Sequence, residues 1–341
     1  MAAIAPAEVT TQFTAIPPYA QPIMPWRPEY GGPDDRGQTV HVGDDVYVYM
    51  APDYGLCTNS VFAITPDGVM VLETQLLPAL AEDVISSIRQ RTDKPIRFAS
   101  ISHHHPDHVL GSAAFTAAGA EITSSYHTAR LIDSHTFWYQ MFLNGVYGGQ
   151  LPMGYTVPRS TYTRSQQLWL GRQRVQQFEL TDSTTVSGES TDNTATWFPD
   201  ARALHVSDTL LSRMHAFFCD GASVPDWLEQ LRQLRELVAE LRPRVLLPGH
   251  GEPGGPELID EQEHYLLTVR SMVMDYTHGG EARLTPDASD RLRADIKAEF
   301  PMHRNEMALD ISLSLIQYVG PQAFLTGQPN AARIAPMPVF L

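Results

Sequence analysis

The residues with the clearest capacity for chemistry form one stretch, Ser102-His103-His104-His105-Pro106-Asp107-His108. It follows an apolar run, Ile96–Ile101, that predicts a buried strand, and it precedes residues 112–118, which predict the first turns of a helix. Imidazoles and a carboxylate at such a turn are costly to bury unless a partner such as a metal ion replaces the lost water. A solvated histidine-rich loop is the alternative, but the order H-x-H-x-D-H is a specific pattern.

The backbone of this stretch sorts its side chains into two pairs. His103 and His105 alternate along an extended chain, so both can point to one side. Asp107 and His108 come after Pro106, where the backbone must turn, and they can face a second ion beside the first. The stretch therefore predicts a site for two metal ions whose remaining ligands come from elsewhere in the chain.

Two later segments carry donors next to predicted strands. His250, in Pro248-Gly249-His250-Gly251, has a glycine on each side and can approach a metal closely, although a surface turn is the alternative. Asp208 is expected to end a strand at residues 203–207 and could bridge both ions through its two oxygens. A helix N-cap is the alternative role for Asp208, because aspartate is favoured there.

A third segment, residues 184–196, is expected to hold the remaining ligand of the first ion, yet it contains no histidine. Glu189 is the preferred candidate, and Asp192 is the reserve. An exposed loop carboxylate is the alternative interpretation of Glu189.

Such a donor set predicts activation of water. Two divalent ions that share a water lower its pKa toward neutrality and supply hydroxide as a nucleophile, with Asp107 and Asp208 as the candidate catalytic carboxylates. Oxygen-rich ligation, to which Glu189 contributes, shifts metal preference away from zinc toward manganese or iron. We expect two divalent metal ions, zinc by default, with iron or manganese as alternatives.

The elements that must position these donors are predicted from hydrophobic periodicity. Alternation between residues 39 and 73 predicts three antiparallel strands, and further strands are expected at 96–101, 121–124, 168–170, 175–180, 194–198, 203–207 and 244–247. Helices are expected at 78–91, 126–144, 225–241, 257–276, 287–300 and 304–318. Two β-rich halves flanked by helices favour a sheet-on-sheet core with helices outside.

Composition limits the partners. The 341 residues carry 39 acidic and 24 basic side chains, for a formal net charge of −15, which argues against nucleic acid. No apolar run approaches a membrane span, and no secretory signal is recognisable. Cys57 and Cys219 form no CxxC pair, so a reduced, cytoplasmic location is expected. A small-molecule substrate is the expected partner, and the proline-rich residues 1–37 together with the late helices indicate a possible homodimer.

H-x-H-x-D-H after a strand, a downstream acidic residue and Pro-Gly-His-Gly together resemble the metallo-β-lactamase superfamily over roughly residues 38–255. The resemblance implies a mixed α/β fold, a four-layer αββα sandwich with a dinuclear site between its sheets. Residues 1–37 would be an N-terminal arm and residues 256–341 a helical extension packed on the same domain. The implied ligands are His103, His105 and Glu189 on one ion, Asp107, His108 and His250 on the other, and Asp208 as the bridge.

The glutamate at position 189 indicates which branch of that superfamily this chain resembles. Most members have histidine there, whereas glutamate is similar to the dizinc alkylsulfatase branch and to di-iron hydroxylases. Asp208 is shorter than the glutamate expected as the bridge in alkylsulfatases. The resemblance implies a metal-dependent hydrolase that cleaves an ester of a small amphiphilic molecule, a sulfate ester as the best single choice. A di-iron oxygenase and a lactonase or thioesterase are the alternatives.

The sequence says least about the substrate. Arg159, Arg164, His303 and Arg304 are the basic groups that could bind an anionic head group. Tyr155 belongs to an aromatic-rich stretch that could form a pocket wall. For each of these residues a role in surface solvation or in packing is the alternative.

Overall fold

The computed structural model describes residues 26–147, 151, 154–180, 188–218 and 222–326. Most of the predicted arm (residues 1–25), the end of the predicted extension (residues 327–341) and Cys219 lie outside the described residues. The described chain forms two β-sheets that share a hydrophobic core, and each sheet has a second core on its other face.

The first sheet combines an antiparallel half with a parallel half. Its spatial order is β1 (Gln38–Gly43), β2 (Val46–Met50), β3 (Asn59–Thr65), β4 (Gly68–Leu72), β5 (Ile96–Ile101), β6 (Glu121–Ser125) and β7 (Ser160–Tyr162). Strands β1 to β4 pair antiparallel, and β4 to β7 pair parallel. Three strands were predicted between residues 39 and 73, and the structure has four, because Asp44 and Asp45 adopt left-handed φ values of 45° and 60° and turn the chain between β1 and β2.

The second sheet has the order β12 (Val245–Gly251), β11 (Ala203–Ser212), β10 (Thr194–Phe198), β9 (Gln173–Glu179) and β8 (Ser165–Leu170). Its two strands β11 and β12 run parallel and are longer than predicted. Buried Leu210 and Leu211 extend β11, so Asp208 lies inside the strand and does not end it. His250 likewise lies within β12, whereas the strand was predicted to end at residue 247.

Alternation along the strands explains the layering. On β4, Met70 and Leu72 point into the core between the sheets, where Phe198 and Leu247 of the second sheet meet them. Val69 and Val71, on the other face of β4, belong to the core under the helices. Because strand side chains alternate between faces, a strand that is apolar on both faces must be covered on both. The expected αββα sandwich is confirmed.

The helices are α1 (Pro78–Arg89), α2 (Pro106–Val109), α3 (Ser112–Ala117), α4 (Tyr126–Val146), α5 (Val224–Leu241), α6 (Glu257–Tyr276), α7 (Pro286–Glu299), α8 (Glu306–Val319) and α9 (Gln322–Thr326). Helices α1, α3 and α4 cover the first sheet, and α5 to α7 cover the second. Within the described residues, no helix has the length and apolar character needed to cross a membrane.

Helix α8 joins the two halves of the sandwich. Its Met307 and Ile311 pack into the core of the first sheet, whereas Leu309 and Leu313 pack into the core of the second. A helix that is apolar on two faces must be buried on both, which places α8 across one end of the sandwich. The extra C-terminal helices expected from the sequence are confirmed.

Candidate metal centre

The histidine motif leaves the first sheet where its parallel strands end. Strand β5 lies between β4 and β6, and the chain departs after Ile101. Pro106 occupies the first turn of α2, where its fixed φ suits a helix and its missing N–H is no loss. The turn buries all five polar side chains of the motif: His103, His104, His105, Asp107 and His108.

Strands β11 and β12 bring Asp208 and His250 to the same place from the second sheet. The backbone at Ser207 is left-handed, with φ 52°, and the ladder between the strands is irregular there. Gly249 is required by this close approach, because a Cβ at that position would lie 1.8 Å from Asp208 Oδ1. Any side chain at 249 would therefore displace the Asp208 carboxylate.

Glu189 reaches the site from the loop before β10. Its carboxylate is buried and accepts a hydrogen bond from Asn193 Nδ2 at 3.2 Å. Gly188 precedes it with φ 25°, and a Cβ there would collide with the Gln230 side chain of α5. The glycine therefore lets the loop lie close enough to α5 to bury Glu189.

One group of donor atoms comprises His103, His105, Glu189 and Asp208, all within 4.8 Å of one another. His103 Nε2 lies 3.0 Å from His105 Nδ1, and His105 Nδ1 lies 2.6 Å from Glu189 Oε1. Two imidazole nitrogens and two carboxylates converge from three separate segments of the chain.

A second group lies beside the first and comprises Asp107, His108 and His250, again within 4.8 Å. Asp107 Oδ2 lies 3.2 Å from His108 Nε2 and 3.4 Å from His250 Nε2. Thr58 Oγ1 donates to the same Asp107 oxygen at 2.7 Å and holds its orientation.

Asp208 contacts both groups. Its Oδ2 lies 2.9 Å from His250 Nε2 and 3.9 Å from His103 Nε2, and its Oδ1 lies 3.4 Å from His108 Nε2. The carboxylate is thus placed between the two sets of donors, as a bridging ligand requires.

Hydrogen bonds fix which nitrogen of each imidazole faces the centre. His250 Nδ1 is 2.8 Å from the Leu56 carbonyl oxygen, which can only accept, so Nε2 carries the free lone pair. Ser207 Oγ donates to Asn193 Oδ1, so in the 2.6 Å contact between the two serines Ser102 Oγ is the donor. Neither hydroxyl has a proton left for His103 Nδ1, which therefore donates to them and leaves Nε2 unprotonated. The lone pair of His103 Nε2 then faces His105 Nδ1 at 3.0 Å, an arrangement that a shared cation stabilises.

The electrostatics of the buried groups suit cation binding. Burial, together with the nearby charge of His108, lowers the pKa of His103 and keeps its imidazole neutral. Burial alone would raise the pKa of Asp208, but the positive charges of His250 and His108 lower it overall. Burial raises the pKa of Glu189 by more than the charge of His105 lowers it, so the pKa is raised overall. Neutral imidazole and ionised carboxylate are the forms that bind metals, and a divalent cation would favour ionised Glu189.

Divalent metal ions fit this donor set. Donors on a tetrahedral ion with bonds of about 2.0–2.2 Å lie roughly 3.3–3.6 Å apart. The contacts of Asp107 with His108 and His250, at 3.2 and 3.4 Å, and of Asp208 with His108, at 3.4 Å, are close to this spacing. Among the described residues, His108 Nε2, Glu189 Oε1 and Asp208 Oδ1 have no hydrogen-bond partner although each is buried. Buried polar atoms without partners are costly, and a bound cation would satisfy all three.

Sequence reasoning missed Glu73. This fully buried carboxylate directly follows β4, with φ 65°, and lies 3.1 Å from His108 Nδ1. Its Oε2 also accepts from the Ser102 N–H at 3.3 Å, so it orients the start of the motif. An acidic residue directly after a wholly apolar strand was the available signal.

The reserve candidate Asp192 belongs to neither donor group. It lies 2.8 Å from His104 Nδ1 and accepts a hydrogen bond from Ser190 Oγ. Burial alone would raise the pKa of Asp192, but the charge of and hydrogen bond from His104 lower it overall. The contact between His104 and Asp192 therefore connects the histidine motif to the loop that carries Glu189.

A pocket lined mainly by apolar side chains opens over both donor groups. Besides the donor groups, the polar groups in its described lining are the side chains of His215 and Asn305 and the phenol of Tyr139. The apolar walls come from the turn before β3, from α2, α4 and α8, and from the end of β11 and the segment after it: Leu56, Pro106, Tyr139, Phe142, Leu143, Leu211, Phe217, Ala308 and Ile311.

The substrate residues suggested by the sequence do not line this pocket. Arg304 pairs with Asp53 at 2.6 Å, and the His303 ring stacks on Tyr265 with centroids 5.1 Å apart. A guanidinium that already has a carboxylate partner has less to gain from turning inward. For all five residues a role in substrate binding stays a prediction, although none of them lines this pocket: Arg159, Arg164, His303, Arg304 and Tyr155.

The family model described as the metallo-beta-lactamase superfamily matches residues 54–250, more than half of the chain. The chain belongs to the metallo-beta-lactamase superfamily. Its match begins at the turn beside Thr58 and ends at His250, so it contains every residue of both donor groups. Membership and the clustered donors together indicate a metal-dependent hydrolase that uses divalent metal ions.

Solved structures show the same fold at low sequence identity. The metallo-beta-lactamase from Pontibacter korlensis aligns with a TM-score of 0.54 and 15% identity, covering 67% of this chain and 98% of that one. TMB-1 aligns with a TM-score of 0.51 and 15% identity, covering 67% and 96%. DIM-1 metallo-beta-lactamase aligns with a TM-score of 0.52 and 14% identity, covering 67% and 96%. At this identity the likeness establishes the fold, and the substrate has to be argued from the pocket.

Proposed function

We propose that this member of the superfamily is a dinuclear metal-dependent hydrolase that cleaves an ester of a small amphiphilic molecule. The observation that carries the proposal is the placement of Asp208 between two buried donor groups at the floor of an apolar pocket. The donors would bind the ions, and the walls would bind an apolar tail.

In this proposal His103, His105 and Glu189 hold one ion, Asp107, His108 and His250 hold the other, and Asp208 contacts both. Bound divalent ions would supply Lewis acidity and lower the pKa of a water at the centre. We assign Asp107 and Asp208 as the carboxylates that orient the attacking water and accept its proton. Burial alone would raise the pKa of Asp107, but the charge of His108 lowers it overall, so this carboxylate is ionised and able to accept.

The surrounding residues keep the donors in place and exclude water. The Leu56 carbonyl orients His250, and the Thr58 hydroxyl orients Asp107. Tyr139, Phe142 and Ile311 form walls that keep bulk solvent away from the reacting ester. A dry site strengthens every charge interaction inside it.

Two ester classes compete within this proposal. Glu189 supports a sulfate ester, since glutamate at this position resembles the alkylsulfatase branch. The pocket supports an uncharged ester instead, such as a carboxylic ester, lactone or thioester, because its described lining contains no Arg or Lys. Anionic head groups are usually bound by such cations. We therefore place the uncharged ester first and the sulfate ester second.

Zinc is the metal that we propose by default. The carboxylates of Asp107, Glu189 and Asp208 also support iron or manganese, and with iron a di-iron oxygenase on the same ligands. Metal analysis of protein produced without added zinc separates these proposals. Two irons with a near-ultraviolet oxo–iron absorption band would favour the oxygenase over the hydrolase.

We also propose that the C-terminal extension from residue 256 belongs to the catalytic unit that begins at residue 38. The support is that Ala308 and Ile311 of α8 line the pocket and that Met307 packs into the core of the first sheet, under its helices. Truncation before α8 should therefore abolish ester hydrolysis.

A substrate panel tests the proposal. The metal-loaded protein would be assayed with chromogenic carboxylic, sulfate and phosphate esters, lactones and thioesters, with Asp208→Ala as the blank. We expect turnover of at least one ester by the unaltered protein and none by the variant. Equal rates for both proteins on every compound would contradict the proposal.

A further inference from the structure

His215 is a buried polar residue in the pocket wall that the proposed metal centre does not use. It follows β11, and its side chain is 1% exposed. Its backbone N–H donates to the Arg304 carbonyl oxygen at 2.8 Å, which ties the end of β11 to the segment before α8. The position of this imidazole in the pocket is thus fixed by the C-terminal extension.

Hydrogen bonding to Tyr265 on α6 determines the tautomer of His215. The Tyr265 hydroxyl oxygen accepts from the Ala216 N–H at 3.3 Å and lies 3.2 Å from His215 Nδ1. A phenol has one proton to donate, and among the described residues His215 Nδ1 is the only acceptor that the Tyr265 hydroxyl meets. The proton of the neutral imidazole therefore resides on Nε2.

Both groups stay in these protonation states. Burial raises the pKa of the Tyr265 phenol, so it keeps its proton. Burial, reinforced by the charges of His303, Lys297 and Arg293, lowers the pKa of His215 to about 3. At neutral pH the imidazole is uncharged, with one acceptor nitrogen and one donor nitrogen.

The donor nitrogen is the one without a partner. His215 Nε2 is buried and has no hydrogen bond within the part of the chain that the structure describes. An unsatisfied buried N–H is costly, and Phe217 and Leu211, which line the same pocket, have no side-chain acceptor to offer it. A bound molecule with an oxygen at this point would complete the site.

We propose that His215 binds the substrate by donating Nε2–H to the carbonyl oxygen of an uncharged ester, and that Tyr265 is a positioning residue that fixes the tautomer. The inference rests on the proposed ester hydrolase and names the group that this pocket recognises. One neutral donor suits an uncharged oxygen, whereas a sulfate would leave its charge unpaired in an apolar wall.

Variants of the zinc-loaded full-length protein test this inference. His215→Phe keeps a ring of similar size but removes the donor, and His215→Gln retains an N–H near the position of Nε2. With 4-nitrophenyl hexanoate we expect kcat/KM to fall about 5- to 10-fold in His215→Phe, the range for one neutral hydrogen bond. His215→Gln should keep at least about half of the activity. Tyr265→Phe should fall between them. Tyr276 is also on α6, but its hydroxyl donates to the exposed Asp295 of α7, so Tyr276→Phe should leave kcat/KM unchanged.

Binding and spectroscopy separate this inference from the proposed hydrolase. N-phenylhexanamide, an uncharged carbonyl compound, should bind His215→Phe about 5- to 10-fold more weakly than the unaltered protein in calorimetry. Imidazole ¹⁵N spectra should show the His215 proton on Nε2 even if no ester is hydrolysed. A proton on Nδ1, or equal amide binding by folded His215→Phe and unaltered protein, would overturn the inference. So would a loss of activity confined to 4-nitrophenyl sulfate.

Discussion

His250 Nε2 lies 2.9 Å from Asp208 Oδ2, although 42 residues separate the two in sequence. The residues stand on neighbouring parallel strands, β12 and β11, and Gly249 lets them meet. With His250 Nδ1 held by the Leu56 carbonyl, the facing atoms are a lone pair and a carboxylate oxygen. Such a pair repels unless a proton or a metal ion lies between them.

Loss of Asp208 should disable both donor groups. Asp208→Ala is expected to bind fewer than two metal ions per chain and to lose more than about a hundredfold in kcat/KM. Substituting a residue that only hydrogen-bonds to a metal ligand already costs about 10- to 100-fold in metal affinity or activity. Mass-spectrometric metal analysis after dialysis measures the first effect. Asp260→Ala, a change to an exposed carboxylate on α6, is the control and should retain metal and rate.

Exchanges at Glu189 test the third ligand of the first group. Glu189→Ala should lose the ion held by His103 and His105, whereas Glu189→His should keep it because imidazole can take the same role. Metal content and ester turnover are measured on both variants. Full metal content and full rate in Glu189→Ala would show that Glu189 is not a ligand.

Glu73→Gln tests the carboxylate behind His108. Removing its charge weakens the contact with Nδ1, so metal affinity is expected to fall about 10- to 100-fold while the fold is kept. Competition with a chromogenic chelator measures this affinity. Glu82→Gln on the exposed face of α1 is the matched control, and equal affinities of the two variants would contradict the assigned role.

Gly249→Ala should disturb the centre through sterics alone. The added methyl group would occupy the position of Asp208 Oδ1, so we expect loss of bound metal and a destabilisation of about 1–3 kcal/mol. Gly32→Ala is the control, since its Cβ would meet no described atom within 4 Å. Thermal unfolding and metal analysis compare the two; an unchanged centre in Gly249→Ala would show that the strands are not held this closely.

The pocket wall on α8 should set the acceptable chain length of the ester. Ala308→Leu fills part of the pocket. We therefore expect kcat/KM for 4-nitrophenyl hexanoate to fall several-fold more than kcat/KM for 4-nitrophenyl acetate. Ser314→Leu, at an exposed position of the same helix, should leave the ratio of the two kcat/KM values unchanged. An unchanged ratio in Ala308→Leu would place the ester tail elsewhere.

Much of the site was predictable because its information is local. The order of residues in H-x-H-x-D-H and the glycines around His250 reflect backbone requirements that can be read from the chain. The layered fold was predictable for the same reason, since strands such as β4 are apolar on both faces.

The rest depends on contacts that no local pattern reveals. Glu73 contacts His108 from the position directly after β4, and a single carboxylate after a strand has many possible roles. Arg304 was proposed as a substrate ligand from its charge alone, and its pairing with Asp53, 251 residues away in sequence, has no local signal. His215 carries no motif at all; its donor nitrogen is defined by Tyr265 and by burial.

Anomalous diffraction at the zinc edge, from crystals of the zinc-loaded protein, tests the central claim most directly. We expect two peaks on opposite sides of the Asp208 carboxylate, one beside His103 and His105 and the other beside His108 and His250. A single peak at one donor group, or peaks away from these residues, would contradict a dinuclear centre.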